Sequence, residues 1–150
     1  MKNLFDAATA DDVKRRVAQL RPDTPRVWGT MNAAQMLAHV SHAMEMAVGD
    51  RNPPRLFISR LLGPILKRRE LGTEAPMSRN SPTAKDLVIR DGRDLETERA
   101  RLTGLIDRFA SGGPQRCTTH PHLFFGPMTP AEWAMLTYKH ADHHLRQFGM

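Results

Sequence analysis

Apolar positions along this chain recur at intervals of three and four residues, the spacing of amphipathic helices, with no sustained strand-like alternation. Thr9 to Leu20 reads as a first helix, with Val13, Val17 and Leu20 in one stripe. Thr9 or Asp11 is its expected cap, and Pro22 and Pro25 end it. A second helix starts at Asn32, where Asn32-Ala33-Ala34-Gln35 forms a capping box, and closes at Gly49. Its stripe is Met36, Val40, Ala43 and Ala47, and His39 lies inside that stripe.

The third helix is expected from Arg55 to about Arg69. Phe57, Leu61 and Ile65, flanked by Ile58, Leu62 and Leu66, make it the most apolar of the set, and Gly63-Pro64 should kink or interrupt it. Gly72 to Arg93 is rich in Pro, Gly, Ser and charge and reads as a long crossover, with a short turn around Pro82 to Leu87. Asp94 to Phe109 is the fourth helix, stopped by Ser111-Gly112-Gly113-Pro114. Cys117 to Met128 connects it to a last helix opened by Thr129-Pro130-Ala131-Glu132, a capping box with proline in the first turn. Leu87-Val88-Ile89 is too short to stand alone as a strand. The expected architecture is all-α, a four-helix bundle with one additional helix and long crossovers.

A length of 150 residues fits one domain, 1–150, and 40% hydrophobic with 25% charged residues describes an ordinary globular chain. No window holds the roughly 20 apolar residues of a membrane span. An acidic Asp6 falls where an export signal would be apolar. The single cysteine, Cys117, excludes an internal disulfide and fits a reducing compartment, so the cytoplasm is the expected location. The net charge of +6 favours anionic partners. Only Lys67-Arg68-Arg69 clusters, without interleaved aromatics, so a solvated helix end is a better reading than a nucleic-acid patch. Neither nucleic acid nor a membrane is expected as partner.

Histidine placement changes the picture. His140 and His144 stand four residues apart on the last helix, one turn above the other, where two imidazoles can grip one ion. His39, a polar residue on an apolar stripe, needs a partner and is the candidate third ligand. Three nitrogens leave one coordination position open, as in catalytic sites, while one cysteine argues against a closed structural site. Imidazole suits Zn, Ni, Fe or Cu, and zinc and nickel lead the candidates. Two alternatives stay open on the residues alone. His140 and His143 also make a workable pair, and a histidine on an apolar face often just hydrogen-bonds in the core. His42 is expected to face outward or the rim of the site, and Trp28 and Trp133 to anchor the core or the bundle ends.

Gln35-Met36-Leu37-Ala38-His39, followed by His140-Ala141-Asp142-His143-His144-Leu145-Arg146-Gln147, resembles the DinB/YfiT-like superfamily of metalloenzymes, most closely a small bacterial branch. Trp28-Gly29, His120-Pro121, Phe125-Gly126 and Glu132-Trp133 are similar to further recurring phrases of that branch. The resemblance implies an up-down-down-up four-helix bundle and a divalent metal on His39, His140 and His144. It also implies chemistry in which the metal activates a low-molecular-weight thiol for transfer or isomerisation. The expected function is therefore a metal-dependent transferase acting on a small molecule with such a thiol as cosubstrate, or a hydrolase if water is the nucleophile. Gln147, His120 and His122 are candidate orienting groups or proton carriers near the open position. The competing expectation is a non-catalytic, metal-stabilised bundle acting as a binding or homodimerisation module.

Overall fold

The computed structural model describes residues 1–79 and 83–150. Among them are five α-helices and no strand: α1 (Ala7–Gln19), α2 (Ala33–Val48), α3 (Ser59–Leu71), α4 (Leu95–Gly112) and α5 (Pro130–Arg146), with short 3-10 turns at Lys85–Leu87 and Pro114–Arg116. The expected turn before Leu87 is present over its last three residues, and Pro82 lies outside the described residues. No helix among them is long and apolar enough to cross a membrane.

Each long helix begins where a side chain can take its orphan amides. The Asn32/Gln35 and Thr129/Glu132 capping boxes are both closed reciprocally, and Asp94 caps α4 through Thr97. The first helix differs from expectation. It starts at Ala7, and Asp6 rather than Thr9 or Asp11 is the cap, accepting from both the amide and the hydroxyl of Thr9. Thr9 is thereby satisfied and buried.

α1, α2, α4 and α5 pack side by side, α2 and α1 each touching both α4 and α5. Their shared interior holds Val13, Met36, Leu37, Leu102, Ile106 and Leu145, all at 1% exposure or less. Burial of one such side chain is worth about 1.5–3 kcal/mol. Trp133 is buried as an anchor, and Phe5 stacks on Phe109 with ring centres 4.8 Å apart.

α3 departs from expectation at Gly63-Pro64. Its glycine and proline do not interrupt it, since the helix runs unbroken through Pro64. Gly63 serves close approach instead: a Cβ there would lie 2.9 Å from the carbonyl oxygen of Phe124 in the connector. The helix lies mostly outside the core, which its Leu71 joins. It packs against α5, and Leu61, Leu62 and Ile65 face outward, while Ser59, Gly63 and Leu71 are buried. Apolar periodicity marks a face that wants cover, and it cannot say whether the same chain supplies that cover.

Candidate metal centre

α2 and α5 bring three imidazoles together. The Asn32 cap sets the register of α2 so that His39 is carried on its inner face, and the Thr129 cap does the same for His140 and His144 one turn apart on α5. The ring centres lie 5.0 Å (His39–His140), 4.6 Å (His39–His144) and 4.6 Å (His140–His144) apart. The Nε2 of His140 is 3.1 Å from the Nε2 of His39 and 3.1 Å from that of His144. One ligand atom from each of the three residues falls within 4.8 Å of the others.

The outer nitrogens fix which face of each ring is turned inward. The carbonyl of Leu87 can only accept, so the Nδ1–H of His39 donates to it at 2.7 Å. The Nδ1–H of His144 donates to Oε1 of Gln147 at 2.8 Å. Both rings therefore present an unprotonated Nε2 to His140. At most one hydrogen, on Nε2 of His140, lies among the three nitrogens, so at least one close pair meets lone pair to lone pair. A cation removes that repulsion. Metal–nitrogen bonds of about 2.0–2.1 Å at tetrahedral angles put neighbouring ligand nitrogens roughly 3.3 Å apart, close to the spacing seen. The donor set fits a divalent ion, and the Nδ1–H bonds to the Leu87 carbonyl and to Gln147 are of the kind that orient metal-ligating histidines.

The electrostatics agree with neutral rings. Burial, and next the nearby His144 and His39 rings, hold His140 well below the ordinary histidine value. Burial, then His39, pushes His144 down to about 3. His39 is lowered chiefly by burial, with the Leu87 carbonyl opposing. Rings that resist protonation keep their lone pairs for a metal.

All three line a cavity of about 750 Å³ with mostly apolar walls, including Met46, Leu66, Phe124 and Leu136, and with Arg69 and Arg90 among its few charged residues. His122 also lines it. That ring lies flat on Phe125, 4.7 Å between centres, with its edge toward Trp133. Its Nδ1 accepts from the amides of Phe124 and Phe125 at 3.1 and 3.2 Å, which leaves the hydrogen on Nε2. Burial lowers its pKa to about 4, so it is a neutral donor throughout the physiological range.

The other candidates divide. Gln147 joins the site as the hydrogen-bond partner of His144. His120 does not line the cavity, and its Nε2 donates to the carbonyl of Pro53 at 2.9 Å, tying the connector to the start of the third-helix segment. His143 lies beside the cluster, edge-on to Trp28 with ring centres 5.9 Å apart, and is not one of the three converging residues. His42, expected outward or at the rim, is buried, 8% exposed, among Arg51, Arg101 and Glu45 on another side of α2. One turn along a helix keeps the azimuth only within about 60° over three residues, enough here to carry it away from the cluster.

Two contributors were not visible in the sequence. The Leu87 carbonyl is a backbone group at the end of a 3-10 turn, and no residue type signals it. Gly29, at φ 84°, has Nε2 of Gln147 3.0 Å from where its Cβ would be, so it is the floor on which that amide rests.

A family model described as a protein of unknown function (DUF1569) matches residues 2–149. The chain belongs to that family. No curated protein and no solved structure matches it. For this DUF1569 chain, chemistry must therefore be read from the site itself.

Proposed function

We propose that this DUF1569 protein is a metal-dependent enzyme: a single DinB-like domain that holds a divalent ion on His39, His140 and His144 and turns over a small molecule in the adjoining cavity. The observation that carries the reading is the pair of 3.1 Å contacts among three inward ring nitrogens, those of His39 and His144 unprotonated, that open into a cavity of about 750 Å³. A site serving stability alone would be closed by a fourth protein ligand or a filled shell.

Helix directions support the DinB-like part. Lys14 meets Asp107 while Arg99 reaches back to Leu20, so α1 and α4 run oppositely. Glu45 meets Arg101 and Asp50 meets Arg108, so α2 and α4 run alike. Arg16 meets Asp142 and Leu4 meets Ala134, so α1 and α5 run alike. That order is up-down-down-up, with α3 as the added helix.

When bound, the ion would act as a Lewis acid and make a thiol or water proton easier to lose at neutral pH. The protein's own groups do the rest. Gln147 and the Leu87 carbonyl hold the His144 and His39 rings in their binding tautomers. The Nε2–H of His122 gives the cavity one fixed donor, suited to steadying a substrate oxygen. Phe124, Phe125 and Leu136 keep bulk water from the reacting groups. The preferred reaction is transfer of a low-molecular-weight thiol to an electrophile, with hydrolysis as the outcome if water is the nucleophile.

The test uses protein purified without a histidine tag. Elemental analysis should give close to one zinc, nickel or similar ion per chain. Loaded protein should then turn over chlorodinitrobenzene only with glutathione or another small thiol present. Turnover of nitrophenyl acetate without thiol would reassign it as a hydrolase. Stoichiometric metal with no turnover across a broad electrophile panel would reduce the ion to a structural role.

A further inference from the structure

The least explained surface of the molecule is α3. Phe57 and Ile58, just before it, and Leu61, Leu62 and Ile65 within it are all exposed, at 82%, 62%, 75%, 44% and 67%. Isolated apolar side chains on a surface are ordinary, but five on one short helical ridge form a contiguous patch that water solvates poorly. Residues step about 100° around a helix, which sets Leu61, Ile65 and Arg68 opposite the buried Ser59 and Gly63. Arg69 and Leu62 flank that arc on one side, and Arg60 and Lys67 on the other.

The charges on this ridge are of one sign. Lys67 is paired with Glu132, and Arg69 reaches Glu70 only at 3.8 Å. Arg60 and Arg68 have no carboxylate partner among the described residues, and both are exposed. From Arg55 to Arg69 the segment contains no acidic residue.

We propose that α3 is a membrane-surface anchor: its apolar ridge enters the headgroup boundary of an anionic bilayer, and Arg60, Arg68 and Arg69 meet the lipid phosphates. An apolar face bordered by arginines whose long stems reach toward phosphate is the arrangement that such interfacial helices use. The sequence reading expected no membrane, on the ground that no segment can span one. A helix lying in the interface does not need to span it.

A second copy of this chain is a poorer occupant. An antiparallel pairing centred between Leu61 and Ile65 would set Arg68 and Arg69 of one copy over Ile58 and Phe57 of the other, with no acid to meet them. A parallel pairing would set each arginine against itself. Neither offers a carboxylate, whereas an anionic bilayer answers every cation. The cavity gives the placement a use, because Ile58, Leu66 and Arg69 belong both to this segment and to the cavity wall. A chain docked on α3 has its cavity beside the lipid.

Flotation of the full-length protein with vesicles tests this. Wild type should float with equimolar phosphatidylcholine and phosphatidylglycerol and stay behind with phosphatidylcholine alone. The Leu61→Ser/Ile65→Ser variant should lose at least tenfold in partitioning, and Arg60→Gln/Arg68→Gln should lose roughly 25-fold, about fivefold per cation. All four positions are exposed, so circular dichroism and the melting temperature should not change. Failure of wild type to float overturns the proposal, as does equal flotation of the Leu61→Ser/Ile65→Ser variant. A wild-type dimer by light scattering that Leu61→Ser/Ile65→Ser dissociates, with no flotation, overturns it in favour of self-association.

Discussion

Gln147 accepts a hydrogen bond from Nδ1 of His144 at 2.8 Å, and so decides which nitrogen of that ring faces the other two histidines. The residue sits at the end of α5, where its own amide is still bonded to the carbonyl of His144, so ring and amide are fixed by the same turn. Replacing Gln147 with Leu keeps the volume and removes the acceptor. We expect metal affinity to fall about 10- to 100-fold, the usual cost of losing an outer-shell partner. Competition with a chelating dye measures it, and unchanged affinity would remove Gln147 from the site.

The neighbours on α5 separate a ligand from a bystander. His140→Ala or His144→Ala removes one of three convergent nitrogens, and two seldom retain a divalent ion against water. His143→Ala removes a ring that packs on Trp28 instead. Metal content of the purified variants should be near zero for the first two and near wild type for the third. Equal loss in all three would mean that His143 belongs to the ligand set. Retention in all three would return the cluster to histidines packed in a core.

Much of this centre was legible because its parts are side chains with a period. Capping boxes located α2 and α5, four-residue spacing paired His140 with His144, and the apolar stripe exposed His39 as out of place. His143 could not be dismissed by spacing, and the structure separates it by direction. The Leu87 carbonyl carries no mark in residue type, since it acts through backbone position, and the glycine at 29 does not tell that the Gln147 amide rests on it. α3 was less legible for a different reason. Its residues mark it as the most apolar helix, but amphipathic spacing records only that one face avoids water. Whether the core, a lipid surface or a partner meets that face is decided by the rest of the fold.

His122 makes acid stability a measurable property of the cavity wall. Its pKa falls from 6.5 in the unfolded chain to about 4 in the fold, because burial penalises the charged ring. The folded state then binds fewer protons than the unfolded one between these values. The contribution is complete above pH 6.5 and is lost as pH falls toward 4, on the order of 3 kcal/mol in total. His122→Asn keeps an acceptor near the Phe124 and Phe125 amides but cannot titrate. In metal-free protein, urea midpoints of this variant should decline less between pH 6.5 and 4 than those of wild type. Parallel declines would show that His122 is not held neutral by the fold.

Gly29 offers a way to disturb the metal centre without touching any residue that bonds to it. Its φ of 84° suits glycine, and a methyl group there would press on Nε2 of Gln147, 3.0 Å from the Cβ position. Gly29→Ala should therefore cost about 1–2 kcal/mol of stability through the backbone alone. It should also displace the Gln147 amide, loosen the His144 ring and lower metal affinity. The two effects are separable. If the methyl acts through Gln147, then adding Gly29→Ala to Gln147→Leu should lower affinity little further, because the amide it would displace is already gone. The stability cost should persist in the double variant, since it belongs to the backbone. Chelator competition and thermal melts on the four proteins of this cycle give both answers. Fully additive losses of affinity would mean that Gly29 acts on the cluster by another route, and an unaffected affinity in Gly29→Ala would mean that the amide has room to move aside.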